Sequence, residues 1–361
     1  MSTPLVTVLI DTYNYGQYVE QAVDSVLAQD FPPEQREILV VDDGSTDDTA
    51  ERLKKYGDSI RYLSKSNGGQ ASAFNCGFAQ ARGDIIALLD ADDLWLPQKL
   101  QRVRETFEAN PGAGMVYHRT HMWKGGDAWE VDTHFTVVSG RVPESIASLL
   151  AYAMVSTSCL AFRREALQKL IPVPEPLRTQ ADAFLTGLII FVAPVVALPE
   201  FLSKYRIHGA NRFHMNGGES KSDGERSEHR RRIEHRIEMR ALLLAEIRGW
   251  LTRNGHDVDA AELQSYLKQW DKAQEADGFA LRKPGRWNYF THLLEYPRVY
   301  GKIMSPRHRL YSYLRAFGAL VLGYDHLHLL DHLHRGTKGV TAKSRQESTL
   351  PGENREAAAK N

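Results

Sequence analysis

The chain has 361 residues, 42% hydrophobic and 25% charged, with 45 Lys+Arg balanced by 45 Asp+Glu. That is the make-up of a globular protein with one large domain or two modest ones. Two cysteines, Cys76 and Cys159, make neither a disulfide framework nor a cysteine-based zinc site. No run approaches the roughly 20 apolar residues of a membrane-spanning helix, and no basic stretch leads into an apolar signal core. The expected setting is therefore a reducing cytoplasm.

Charge is uneven along the chain. Residues 1–200 carry 17 Lys+Arg against 26 Asp+Glu, and residues 201–345 carry 26 against 16. A basic C-terminal half suits contact with phosphates or anionic lipid, or simply solvated basic helices.

In chain order, LVTVLI (5–10) reads as a buried strand, and Tyr18–Gln29 follows with apolar residues at helical spacing. ILVV (38–41) is a second buried strand, ended by the turn-forming DDGST, with a helix expected over Thr46–Tyr56. Ile60–Leu63, Gln70–Ala81, Asp84–Leu89 and Pro97–Glu108 continue the alternation as strand, helix, strand, helix. Such an order implies parallel βαβ units whose ligands bind beyond the carboxyl ends of the strands. Asp11, Asp42–Asp43 and Asp90–Asp93 all fall there.

Residues 113–142 read as shorter, more antiparallel strands with GGD as a turn. Helices are expected at Glu144–Leu150, Arg164–Leu170 and Ala181–Phe191, and strands at Val195–Leu198 and Phe201–Arg206. The polar stretch 214–229 reads as a linker or mobile loop. Ile233, Ile237, Leu244, Ile247 and Leu251 mark one face of a long basic helix that stops near Gly255, and further helices run to about Arg335. Residues 336–361 hold too few apolar side chains to pack and are expected to be disordered.

The chemistry concentrates in LLDADDLW (88–95), where three carboxylates fall within four positions. A strand ending in such a cluster serves a hard divalent cation, since Mg²⁺ and Mn²⁺ take oxygen ligands. The plain alternative is that Asp92 or Asp93 caps the helix beginning near Pro97. At VVDDGSTDDT, Asp42–Asp43 either accept hydrogen bonds from a nucleoside or close an Asx-type turn. Tyr13 and Tyr15, after the first strand, offer rings to stack on a base or to pack in the core. NGGQASAFNCG gives a glycine turn at a helix start, whose free N–H groups favour anions. Neither G-x-G-x-x-G nor G-x-x-x-x-G-K-S/T is present, so a dinucleotide fold or P-loop has no support, and no nucleic-acid partner is expected.

VTVLIDTYN, ILVVDDGSTDDT, NGGQASAFNCGFAQARGDIIALLDADD and YRIHGAN, in that order over about residues 4–212, resemble the inverting glycosyltransferases of family 2. The resemblance implies a GT-A (Rossmann-like) fold: an α/β, mostly parallel sheet flanked by helices, with a mainly helical C-terminal extension. It implies a nucleotide-diphosphate sugar donor, with UDP as the default nucleotide, an acceptor hydroxyl on a glycan or lipid-linked molecule, and Mg²⁺ or Mn²⁺. Residue by residue it assigns donor binding to Asp11, Thr12, Tyr13, Asp42, Asp43, Asn67, Gly68, Asn75, Asp90 and Asp92. It assigns the metal to Asp92, Asp93 and His208, and the catalytic base to Asp182, the only acid in LRTQADAFLTG. Glu175 and Glu200 are the fallback bases, and Arg206 is placed near the diphosphate or metal.

Three departures stand out: Asp11 where the family commonly has Pro, Phe74 where many members have Arg, and one acid rather than a pair at 182. The expected organisation is a transferase domain over 1–213, the 214–229 linker, a helical region over 230–335 and the tail. Arg307, Arg309 and Arg315 flank the apolar stripe Leu310, Leu314, Phe317, Leu320, Val321 and Tyr324, which either contacts a membrane peripherally or packs on the core. His326, His328, His332 and His334 read as solvated helix surface. Two competing readings are a nucleotidyltransferase, whose glycine- and lysine-rich nucleotide loop is absent, and a non-catalytic binding protein of the same fold.

Overall fold

In the computed structural model the described residues are 5–124, 127–130, 139–140, 155–208, 211, 223–282, 284–300 and 306–322. The chain forms two compact units, Met1–Arg282 and Lys283–Asn361.

Among the described residues the first unit is built on nine strands. Four are parallel neighbours in the order β3 (Arg61–Ser64), β2 (Arg36–Asp42), β1 (Val6–Thr12), β4 (Ile85–Asp90). The helices between them are α1 (Gly16–Leu27), α2 (Thr49–Leu53) and α3 (Gln70–Gln80). The short β5 (Leu94–Trp95) and α4 (Lys99–Ala109) follow β4. The sheet then becomes mixed. β6 (Met115–Lys124) lies antiparallel to β7 (Asp127–Glu130) and β8 (Leu160–Arg163), and parallel to β9 (Val195–Arg206), which pairs antiparallel with β5.

The β1 strand is buried almost throughout because both faces of the sheet are covered. Val6, Val8 and Ile10 pack with Val19, Val23 and Val26 of α1 and with Leu100, Val103 and Phe107 of α4. Leu9 points to the other side, with Leu39, Val41, Phe74, Phe78 and Leu88. That second core also receives Phe184, Leu185 and Leu188 of α6 (Ala181–Val192), which follows the single-turn α5 (Arg164–Leu167).

Several boundaries differ from expectation for local reasons. The helix expected over Thr46–Tyr56 starts only at Thr49, because residues 44–48 are held as a loop. Ser45 N–H donates to Asp42 Oδ1 (2.7 Å), Thr46 N–H to Asn14 Oδ1 (2.7 Å), and Thr49 N–H to Asp47 Oδ1 (3.0 Å). The two expected strands around Pro199 are one strand, β9, with register shifts opposite His118–Thr120. The helix expected over Glu144–Leu150, the histidines 326–334 and the tail 336–361 lie outside the described residues.

The helical region divides. The long helix α7 (Asp223–Arg253) begins inside the stretch read as linker, and with α8 (Ala261–Leu281) belongs to the first unit rather than to a region separated at 213. The cause is its apolar stripe. Leu243, Leu244, Ile247 and Leu251 of α7, and Tyr266, Leu267 and Trp270 of α8, bury in the same core as α6. Tyr266 Oη donates to the Gly187 carbonyl of α6 at 2.7 Å. A Cβ on Gly187 would stand 3.0 Å from that hydroxyl, so a side chain there would push the helices apart. The second unit holds α9 (Arg286–Tyr300) and α10 (Pro306–Leu322).

Candidate active site

Parallel pairing sets the site's frame. Asp11 on β1 is the register partner of Asp90 on β4, and Thr12 of Asp42 on β2, so both strand ends deliver acids to one edge. Beyond β4 the chain turns, with Asp93 N–H donating to the Asp90 carbonyl at 3.0 Å. The turn gathers Asp90, Asp92 and Asp93 so that one ligand oxygen of each lies within 4.8 Å of the others. Neither Asp92 nor Asp93 caps α4, whose start has no side-chain cap, so the plain capping alternative does not describe them.

Two of the three carboxylates, Asp92 and Asp93, are tied down from behind. Asp92 Oδ2 meets His208 Nε2 at 2.9 Å, which unites two of the three residues assigned to a metal. Asp93 Oδ2 accepts from Ser158 Oγ at 2.6 Å, and Asp93 Oδ1 from the Arg206 N–H at 2.9 Å. Ser158 Oγ also accepts the Asp90 N–H at 3.2 Å. Arg206 itself donates through Nε to the Asp92 carbonyl (2.7 Å) and through Nη2 to Gln21 (2.7 Å). Its guanidinium lies over the Tyr18 and Trp123 rings, 4.6 and 4.1 Å from their centroids. Arg206 is thereby a positioning group for the turn.

Like charges brought together in a poorly hydrated place favour protons. The Asp90 carboxyl is pushed well above the usual carboxylate range, first by burial and then by Asp11, Asp92, Asp93 and Asp182. Asp93 is raised the same way, by burial and Asp92, with the Ser158 and Arg206 hydrogen bonds opposing. This donor set fits a hard divalent cation: three convergent carboxylates and an adjacent imidazole. A carboxylate oxygen that accepts one hydrogen bond keeps a lone pair for a metal.

The segment assigned to donor binding separates into two groups. Asp42 closes the Asx-type turn that was its plain alternative, accepting from Ser45 N–H and, at 2.7 Å, from Tyr62 Oη. Asp43 receives the N–H groups of Gly68 (2.9 Å) and Gly69 (2.6 Å) and the Lys65 ammonium (2.8 Å). The Gln70 and Ala71 N–H groups go to the Arg178 and Leu177 carbonyls at 3.0 and 3.3 Å. The N–H groups of Gly68, Gly69, Gln70 and Ala71 around the start of α3 are therefore taken up within the chain, the first two by the Asp43 carboxylate. Gly69, at φ 88°, passes so close to Arg178 that a Cβ would sit 2.6 Å from its Cα. The Asn67 side-chain oxygen Oδ1 accepts from Arg178 Nη2. Asn75 exchanges two 2.8 Å bonds with the Val173 backbone, so its amide joins α3 to the 170s and is not directed at the acidic edge. Tyr13 is exposed; Thr12 is buried, with its hydroxyl lacking a hydrogen-bond partner among the described residues.

Asp182 lies in the first turn of α6, where Oδ1 accepts the Ala183 N–H (2.9 Å) and Oδ2 accepts from Thr157 Oγ1 (3.1 Å). Burial raises its carboxyl, and those two hydrogen bonds oppose the rise. The fallback bases are elsewhere: Glu200 is held by Arg102 through 2.9 and 2.7 Å bonds, and Glu175 is exposed.

The sequence pattern did not single out Thr157 and Ser158, which lie about 20 residues before LRTQADAFLTG. Adjacent on one short turn, they hold Asp182 and the Asp90/Asp93 pair respectively. Behind them the Ser158 carbonyl accepts from Trp95 Nε1 at 2.9 Å and Lys99 Nζ at 2.5 Å. Lys99 is fully buried over the Trp95 ring, and burial drives its ammonium well below the usual lysine range. The available signal was weak: small polar residues ahead of the apolar run Cys159–Phe162.

Sheet order, acidic edge and helix placement are those of a GT-A-type fold. The family description "Glycosyl transferase family 2" matches residues 7–171. An uncharacterized glycosyltransferase of Nostoc sp. is 37% identical over 230 residues, covering 61% of this chain and 70% of that protein. The chain belongs to glycosyl transferase family 2.

Chondroitin synthase of Pasteurella multocida is 38% identical over 117 residues, covering 32% of this chain and 12% of that enzyme. Among solved structures, Staphylococcus aureus TarS 1–349 in complex with UDP-GlcNAc aligns with a TM-score of 0.57 at 19% identity, covering 92% of each chain. The mannosyltransferase PcManGT of Pyrobaculum calidifontis, in complex with GDP-Man and Mn²⁺, aligns at 0.50 with 17% identity, covering 89% of this chain and 88% of that one. These structural likenesses carry the fold.

Proposed function

We propose that the protein is an inverting transferase that moves a sugar from a nucleoside diphosphate, UDP by default, to a hydroxyl of a glycan or lipid-linked acceptor. The observation carrying this reading is that three chain segments bring acids together. Asp11 is the register partner of Asp90, and Asp90, Asp92 and Asp93 present oxygens within 4.8 Å of one another. The adjacent Thr157 and Ser158 hydrogen-bond Asp182 and Asp93. Similarity to proteins solved with UDP-GlcNAc and with GDP-Man, and to a chondroitin synthase, supports the donor class and a glycan acceptor. Transfer is assigned to the sheet portion, residues 1–213, with α7 and α8 as its helical support and the cytoplasm as its location.

Asp90, Asp92, Asp93 and His208 would hold Mg²⁺ or Mn²⁺, which when bound supplies positive charge to the departing diphosphate. Asp182 takes the acceptor's hydroxyl proton while that oxygen bonds to the anomeric carbon and the bond to the diphosphate oxygen breaks. A single displacement of this kind inverts the centre. A carboxylate made more basic by burial suits proton abstraction, and Thr157 fixes the oxygen that receives the proton. Tyr13 offers an exposed ring to the base, while Asp43 braces the 65–69 loop beside it.

The test is a thermal-shift screen of UDP, GDP and dTDP with and without Mn²⁺, run on the wild type and on Asp92→Asn. A Mn²⁺-dependent rise with one nucleotide, lost in the variant, is expected. No stabilisation by any of the three with Mn²⁺ present overturns the donor reading.

A further inference from the structure

In the second unit α9 and α10 pack on each other. Their apolar residues are arranged the reverse of an ordinary helix pair. Ala316 and Ala319 are fully buried, whereas Leu310, Leu314, Phe317 and Val321 are 61%, 58%, 55% and 72% exposed. At 3.6 residues per turn those four fall within about 60° of one another, so they form one stripe along α10.

The stripe continues onto α9. The Phe317 ring lies 5.4 Å from that of Phe290, which lies 5.4 Å from that of Trp287, itself 66% exposed. A single exposed leucine needs no explanation, but a continuous face of large apolar side chains marks a surface that something non-aqueous covers.

Charge identifies what covers it. The second unit, Lys283–Asn361, contains 13 Lys+Arg and 6 Asp+Glu. Arg307, one turn before Leu310, and Arg286, beside Trp287, are exposed. A second copy on this face would set two strongly basic units against each other, which like-charge repulsion opposes. An anionic bilayer matches both features: apolar side chains enter the headgroup–acyl boundary, and arginines stay with the headgroups. No described helix is long and apolar enough to cross a membrane, so the contact is one of lying on the surface.

We propose that the α9–α10 face, through Trp287, Leu310, Leu314, Phe317 and Val321, docks the protein on an anionic membrane surface. The inference stands apart from the sugar-transfer reading.

The test is co-sedimentation of the full chain with vesicles of phosphatidylcholine alone and of phosphatidylcholine with phosphatidylglycerol. Binding to the second vesicles only, weakened by salt, is expected. The double variant Leu314→Glu/Phe317→Glu should lower partitioning at least about tenfold, and Arg307→Glu by a smaller factor. Circular dichroism melts, and nucleotide-dependent thermal shifts where the wild type shows them, should be unchanged because all three positions are exposed. If the double variant fails the melt control, Arg307→Glu alone decides. No binding to the anionic vesicles, or full binding by the variants, overturns the proposal. So does a concentration-dependent dimer, seen by light scattering, that the double variant abolishes; that result assigns the face to a second copy.

Discussion

Replacing Ser158 by alanine isolates how the acidic edge is held. In the wild type its hydroxyl donates to Asp93 Oδ2 at 2.6 Å and accepts the Asp90 N–H at 3.2 Å. The first bond is charge-assisted and the second neutral. A hydrogen bond to a charged group contributes about 1.5–3 kcal/mol and a neutral one about 0.5–1.5 kcal/mol. Losing the charge-assisted bond lets Asp93 rotate, which corresponds to roughly a 10–100-fold loss of divalent-ion affinity, the range found when groups orienting metal ligands are removed. Losing both lowers folding stability by up to about 4 kcal/mol.

The assay is calorimetric titration of Mn²⁺ into the UDP-saturated protein, with a melt to score folding. Ser203→Ala is the control, because Ser203 is equally buried but partners Cys159 Sγ at 3.4 Å. The control should cost stability and leave Mn²⁺ affinity alone. If folded Ser158→Ala binds Mn²⁺ within twofold of the wild type, the reasoning is refuted.

Thr157→Val removes a hydrogen bond that stabilises the charged form of Asp182. The acidic limb of the transfer rate should therefore move to higher pH, and Thr157→Ser should restore it; an unmoved limb in a folded variant counts against Asp182 as base. A second expectation concerns stability without divalent ions. Asp90 and Asp93 bind protons more tightly folded than unfolded, so the native state carries more protons between the ordinary carboxylate pKa of about 3.9 and their raised values. Stability from these groups thus falls as pH rises through that window, and saturating Mn²⁺ should flatten the slope measured by melts. Gly69→Ala forces a side chain onto φ 88° and into Arg178, and should cost about 1–3 kcal/mol in denaturant unfolding. Wild-type stability in that variant would mean the 65–71 loop is not held as described.

The alternating half of the fold was legible in the sequence because local rules write it. Strands covered on both faces become apolar runs, as at Val6–Ile10 and Ile38–Val41, and the crossover helices carry a 3.6-residue period. Polar residues that follow those runs must lie at the carboxyl edge, so Asp11, Asp42, Asp43 and Asp90 could be placed there before any coordinates. The cluster at 90–93 was equally plain, since three acids within four positions serve no strand.

What each polar atom touches was decided elsewhere. Asp42 and Asp43 are adjacent, yet one closes its own turn and the other holds a loop 25 residues away. Asn75 faces the 170s because Val173 offers both a carbonyl and an N–H, and the first two N–H groups of α3 were claimed by carbonyls more than 100 residues downstream. The partition of the C-terminal helices also waited on packing: α7 and α8 found a partner face on α6, whereas the apolar stripe of α10 stayed exposed. Periodicity names a face but not what lies against it. Short-range sterics and burial set the elements and the acidic edge, while long-range hydrogen bonds and side-chain packing, which depend on three-dimensional proximity, assigned Thr157, Ser158 and Asp182 to the same few ångströms of space.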